Sequence, residues 1–198
     1  MFAYCGNNPV NYSDPSGRFQ QKFTPIYEDD EFHYIHDQKD PSIASLPFGR
    51  STVGVNGCPA VASYNAMLDL GEFVSFSDVY NWYVKHLSIV DGYGEYGAFI
   101  GTVAKFFLDK GYDVVILLSN QPDDHIAYSQ GADACIMLYR YHGNNGNGGH
   151  YISYSWTGQE YLARNTVNGT DTFASPWDFG TQSNRYFAYE ILIYKREE

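Results

Sequence analysis

The chain has 198 residues, 44% of them hydrophobic and 18% charged, a balance that excludes a disordered polymer and gives enough length to bury a core. Twenty-three acidic side chains against twelve basic ones leave a formal net charge of -11, a surface that repels polyanions and so argues against nucleic acid as a partner. No apolar run approaches the roughly 18 residues of a membrane span, and the polar Met1 to Val10 stretch lacks a signal-peptide core.

Residues 1–45 hold the turn dipeptides Asn8-Pro9, Asp14-Pro15 and Ser16-Gly17 and charges without periodicity. They read as a leader, with 1–19 a separate motif, 20–45 an extended linker and 46–198 the folded domain. A strongly apolar helix is expected from Cys58 and Pro59 through Leu68, since proline suits a helix's first turn, and Gly71 ends it. Ser77 is the expected N-cap of a second helix, Asp78 to Leu87, and a third runs from about Tyr96 to Lys110. The period then changes. Asp113 to Leu118 reads as a buried strand and Asp124 to Gln130 as a short, solvated helix. Ala134 to Tyr141, His150 to Trp156, Glu160 to Asn165 and Tyr186 to Tyr194 read as strands, rich in aromatic and β-branched residues. Gly143 to Gly149 is expected as a flexible hairpin loop. Helices first and antiparallel strands after imply an α+β fold, with N-terminal helices packed on a C-terminal antiparallel sheet. The 19 tyrosines suit such a half-buried sheet as well as they suit a substrate groove.

Three cysteines, Cys5, Cys58 and Cys135, form neither a disulfide framework nor a CxxC pair, and the six histidines lack metal-ligand spacing. No metal or cofactor is expected. Cys58 stands out because a thiol at a helix start meets the positive end of the helix dipole and unpaired N–H groups. Both favour the nucleophilic thiolate, and those N–H groups can receive an oxyanion. Gly54 and Gly57 before it suit close approach by a substrate. Equally, a cysteine there can be a buried structural residue. His150 follows the glycine-rich stretch at a strand start, from which an imidazole can reach a thiol on another element. His142 is a weaker candidate base and His125 weaker still. Asn165, at the end of the following strand, can orient the imidazole through its amide oxygen; Asn168 is the rival and reads better as a turn residue.

Gly57-Cys58-Pro59-Ala60, then Gly149-His150-Tyr151-Ile152, then Asn165 fifteen residues after His150, resembles papain-like cysteine peptidases, above all the bacteriocin-leader peptidase group that cuts double-glycine leaders. The likeness covers about residues 46–194 and implies a papain-like fold with Cys58, His150 and Asn165 as a triad. The family commonly has Cys-Gly-Pro-Ala where this chain has Cys-Pro-Ala, and an upstream oxyanion-hole glutamine where this chain has Thr52; Asn56 is the substitute oxyanion-hole candidate. A second run, Tyr4 to Gly17, resembles the end of the Rhs (YD-repeat) core, after which such proteins carry a variable C-terminal cargo, often a toxin. Together these likenesses imply a thiol hydrolase of protein or peptide amides, secreted or surface-carried within a larger Rhs protein, delivered into a target cell and met there by a cognate immunity protein. A deamidase or transglutaminase uses the same three residues. A catalytically inert binding module is the alternative from another class, and a nuclease toxin is disfavoured by the acidity.

Overall fold

From Ala134 onward, alternate residues differ in what they pack against, and this period of two builds the sheet around which everything else is arranged. The structure, a computed structural model, describes residues 12–13, 21–22, 33–86, 97–143, 146–166, 168–182 and 184–196. In chain order the elements are β1 (Tyr12–Ser13), β2 (Gln21–Lys22), β3 (Pro47–Phe48), β4 (Ser51–Thr52), α1 (Val53–Asn56), α2 (Cys58–Asp69), α3 (Phe76–His86) and α4 (Ile100–Asp109). There follow β5 (Asp113–Leu117), α5 (Pro122–Gln130), β6 (Ala134–Gly143), β7 (Gly146–Trp156), β8 (Tyr161–Thr166), β9 (Gly169–Phe173), α6 (Pro176–Thr181) and β10 (Arg185–Tyr194). The fold mixes helix with antiparallel sheet, as expected for α+β. Apart from Tyr12 and Ser13, which pair with β2, the Rhs-like run lies outside the described residues, as does Cys5. No helix among the described residues is long and apolar enough to cross a membrane.

The main sheet has the order β5-β10-β6-β7-β8-β9 with every neighbour antiparallel. On β6, Ala134, Ile136 and Leu138 face one core with α2, α3 and α4, while Cys135, Met137 and Tyr139 face a second core containing Phe179 of α6. Helix α2 is buried over nearly its whole length, which is why its sequence shows apolar residues all round rather than a stripe.

Several elements depart from expectation, each for a physical reason. Helix α3 starts one residue before Ser77, because the cap is Ser75: its Oγ accepts from the Asp78 N–H at 3.1 Å and donates back to Asp78 Oδ2 at 2.8 Å, a reciprocal cap. Strand β5 is not buried. It is an edge strand paired only with β10, and Val115 and Ile116 are exposed. The glycine-rich stretch is mostly ladder, since the β6–β7 pairing continues to Gly143 and Gly146. The short β9 and α6 were hidden by their polar, turn-like composition. Residues 33–45, expected in the extended linker, belong to the packed body: Ile35 and Ile43 are buried, and Asn65 on α2 accepts from the Ile35 N–H at 2.9 Å and donates to its carbonyl at 2.8 Å.

The largest correction concerns α5. His125, expected on a solvated helix, is fully buried and stacks on Trp177. Its Nδ1 lies 2.5 Å from Glu190 Oε2 and its Nε2 2.7 Å from the Ser119 carbonyl oxygen. Tyr154 donates to the other Glu190 oxygen. With an acceptor at each ring nitrogen, the imidazolium satisfies both contacts. Burial pulls its pKa down, but the hydrogen bonds to Glu190 and Ser119 and the Glu190 charge outweigh this, so the pKa stands above its ordinary value of 6.5. The stabilisation is therefore complete below about pH 6.5 and is lost as pH rises through the higher folded-state value. Glu190→Gln, which leaves a buried imidazole without its counter-charge, should cost about 3–5 kcal/mol in urea unfolding at pH 6, with the penalty shrinking at alkaline pH. A pH-independent penalty would show that His125 is neutral in the fold.

Candidate active site

Gly57 is the junction on which Cys58 turns. A Cβ there would come within 2.6 Å of the Val53 Cα, so only glycine lets α1 run directly into α2. At Gly54 a Cβ would meet Ala44 at 3.1 Å. The close approach that these glycines permit is therefore by the chain itself rather than by a ligand. Cys58 takes the first helical position with Pro59 behind it. Pro59 has no N–H, and the Ala60 and Val61 N–H groups donate to the Gly57 carbonyl at 3.0 and 3.1 Å. In this first turn Cys58's own N–H stands against the Cys58 sulfur, which favours the charged form of the thiol.

The thiol is not the activated thiolate that its helix position suggests. Burial pushes the Cys58 pKa up to about 12 from its ordinary value of 9.0, against the opposing pull of backbone hydrogen bonds at Tyr151 and at Cys58 itself. A shift of that size is worth roughly 4 kcal/mol against the charged form, whereas a helix N-terminus supplies about 0.3–1 kcal/mol for it. Burial wins, and the resting thiol is protonated. Cys135 is likewise buried and raised well above the ordinary range by burial and the Glu190 charge. Cys58 differs in that it lines a cavity.

His150 and Asn165 meet where β8 leaves β7. The β7–β8 ladder runs from Trp156/Tyr161 to Ser153/Arg164 and stops there, and on the other side of β8 the pairing with β9 shifts register between Arg164 and Thr166. Asn165 holds φ at 62°, a left-handed conformation that asparagine tolerates better than most residues. Its side chain bonds at both ends: Oδ1 accepts from the Gln38 N–H at 2.9 Å and Nδ2 donates to the Tyr151 carbonyl at 3.3 Å. The contact to the imidazole is made by the Asn165 backbone carbonyl, 2.5 Å from His150 Nε2, and not by the amide oxygen expected from the sequence. A carbonyl can only accept, so Nε2 carries the proton and Nδ1 of the neutral ring keeps a lone pair. Burial lowers the His150 pKa, only partly offset by the Asn165 bond, so the ring is neutral at pH 7.

Cys58 and His150 are not brought into contact, and His150 is not among the residues lining the cavity beside Cys58. The thiol bonds the Tyr151 backbone, one residue beyond His150. The two side chains lie on opposite faces of β7. Tyr151 belongs to the α2 core, whereas His150 lies across from Tyr139 and packs edge-on to its ring. No hydrogen bond joins thiol and imidazole.

A cavity of about 310 Å³ opens beside the thiol, lined by Cys58, Gly97, Phe99, Leu138, Arg140, Tyr151 and neighbouring residues. Asn56 ends α1, and its carbonyl oxygen lies 3.7 Å from where a Cβ on Gly97 would stand, which puts it at the border of that cavity. His142 is exposed on β6, bonded to Asn147 and edge-on to Tyr186. Asn168 lies between β8 and β9 and donates to Asp171, the turn role expected of it. Gln38 was missed by sequence reading because it lies in the supposed linker, yet its Nε2 donates to the Gly54 and Val55 carbonyls at 3.2 and 3.3 Å, just ahead of Cys58. No protein-family model matches the chain, and no curated protein matches it.

Replacing Asn165 separates its two roles. Asn165→Gly removes both buried side-chain bonds but keeps the left-handed backbone, at a cost of about 1–3 kcal/mol. Asn165→Ala removes the bonds and strains the backbone, so its unfolding midpoint should lie lower by a further ~1 kcal/mol. Equal midpoints for the two variants would remove the backbone role.

Proposed function

We propose that this chain is a papain-like thiol hydrolase of protein or peptide amide bonds, with Cys58 as nucleophile and His150 as base. The observation that supports the reading is the 2.5 Å bond from His150 Nε2 to the Asn165 carbonyl oxygen, which fixes the neutral tautomer and leaves the Nδ1 lone pair able to act as a base, one residue along β7 from Tyr151. A neutral imidazole and a protonated thiol make proton transfer part of the reaction rather than a resting ion pair. His150 takes the thiol proton as sulfur attacks the substrate carbonyl carbon, and the carbonyl oxygen gathers negative charge. The Cys58 N–H and the candidate Asn56 amide receive that charge. The C–N bond breaks as His150 returns the proton to the departing amine, leaving a thioester. Water, deprotonated by His150, then releases the carboxylic acid and regenerates the thiol. Attack on a glutamine side-chain amide by the same steps gives a deamidase, and an amine in place of water gives a transglutaminase. The Rhs-like run supports a place for this domain as the C-terminal cargo of a larger exported protein, with an immunity protein as its cognate partner.

A specific observation favours an inert binding module instead. The thiol is buried, protonated and without a hydrogen bond to His150. The two readings part on mutation. Cys58→Ser and His150→Ala should each lower turnover of a quenched peptide-amide library by about 10² or more, with circular dichroism unchanged, and His142→Ala should be mild. Activity surviving Cys58→Ser would end the hydrolase reading, and a reversal of the two histidine results would move the base to His142.

The pH profile is a separate check. His150 acts as a base only when neutral, and its pKa is lowered from 6.5, so the ascending limb of kcat/KM should fall below pH 6.5. An ascending limb well above pH 9 that survives His150→Ala would instead report direct titration of the buried thiol.

A further inference from the structure

The cavity beside Cys58 carries one charged side chain, Arg140, among apolar and aromatic neighbours. Arg140 lies two residues from Leu138 on β6, so the two side chains share the sheet face that α2 covers. Its cross-strand partner on β7 is Gly149, which presents no side chain. A Cβ at Gly149 would sit 3.3 Å from the Leu138 Cδ1, inside the space that the cavity uses. Phe99, Tyr151 and Tyr189 wall the same space. Elsewhere among the described residues, Arg164 and Arg196 are each paired to an aspartate, and Arg185 lies over the rings of Tyr139 and Phe179. Arg140 makes no ion pair with a carboxylate among the described residues, in a chain where acids outnumber bases by 23 to 12. A guanidinium is a rigid, permanently charged fork that fits the two oxygens of a carboxylate.

The geometry points to a carboxylate-recognising subsite. Arg140 receives an acidic group carried by the substrate close to the scissile carbonyl, while the aromatic wall takes the apolar part of the same residue or its neighbour. This assignment rests on the reading of Cys58 as the reacting thiol, and it adds a substrate class to that reading: peptides with a carboxylate beside the cleaved amide. A strongly basic peptide is rejected at the same point by like charge.

Two alkylating probes of the same shape test it. Iodoacetate and iodoacetamide both place a methylene on the thiolate, the sulfur displacing iodide, and they differ in carrying a negative charge or none. The quantity read is the ratio of the iodoacetate to the iodoacetamide rate constant at Cys58, by peptide mass mapping of the folded full chain, which normalises for exposure of the thiol. The ratio should exceed that of free cysteine in the same buffer, should fall by about two- to fivefold in Arg140→Gln, and should fall further in Arg140→Glu. A ratio unmoved by both substitutions overturns the subsite and leaves the Cys58 reading standing. Failure of both reagents to modify Cys58 in the folded protein removes both readings, whereas failure of iodoacetate alone removes only the subsite. Protection of Cys58 from iodoacetamide distinguishes the source of the carboxylate: N-acetylglutamate α-amide offers a side-chain acid and N-acetylglutamine a terminal one. Equal protection by the uncharged N-acetylglutamine amide overturns the proposal.

Discussion

At Asn165 the backbone turns left-handed, and β8 parts from β7 just where His150 and Gln38 bond it. Had the ladder continued, the β7 backbone at Tyr151 would have been paired with the neighbouring strand. Because it stops, one Asn165 amide takes the Gln38 N–H and the Tyr151 carbonyl, one Asn165 carbonyl takes the His150 ring, and the Tyr151 backbone is left to hold a thiol. The candidate site is a defect in a sheet, stabilised by a residue whose side chain supplies the bonds that the missing ladder would have made.

That defect explains how a segment outside the sheet becomes part of the site. Gln38 ties residues 33–40 to Asn165 on one side and to the Gly54 and Val55 carbonyls on the other. Farther along α2, Arg164 pairs with Asp69 at 2.9 Å and lies 3.8 Å over the Tyr34 ring, while Tyr34 donates to Asp69 at 3.0 Å. The segment, α2 and β8 are thereby held as one body, which fixes the helix start that carries Cys58 relative to the strand that carries His150.

Burial sets the electrostatics of both cores, with opposite outcomes. His125 keeps its proton in a fully buried place because Glu190 supplies a counter-charge and Ser119 a second acceptor. Cys58 and His150 have no carboxylate bonded to them, and burial outweighs what remains, so each rests in its neutral form. A neutral pair is a weaker resting nucleophile than an ion pair, but it holds the base in the protonation state that a proton transfer needs.

Much of the scaffold was legible in the sequence. Pro59 after Cys58 marked a helix start, and alternating aromatic and β-branched residues marked β6, β7 and β10, because local backbone preference and side-chain period act over a few residues. The pairing of His150 with Asn165 was legible as spacing across one hairpin, although the atom involved was not, since a carbonyl contact leaves no side-chain signature. Long-range packing was illegible. The polar run Pro122 to Gln130 gave no hint of its partner, because the burial of His125 is decided by Glu190, sixty-five residues away. The thiol's protonation was likewise out of reach: the sequence determined that Cys58 begins a helix, but only the tertiary structure decided how much protein surrounds it, and desolvation depends on all of the atoms that displace water rather than on the neighbours along the chain.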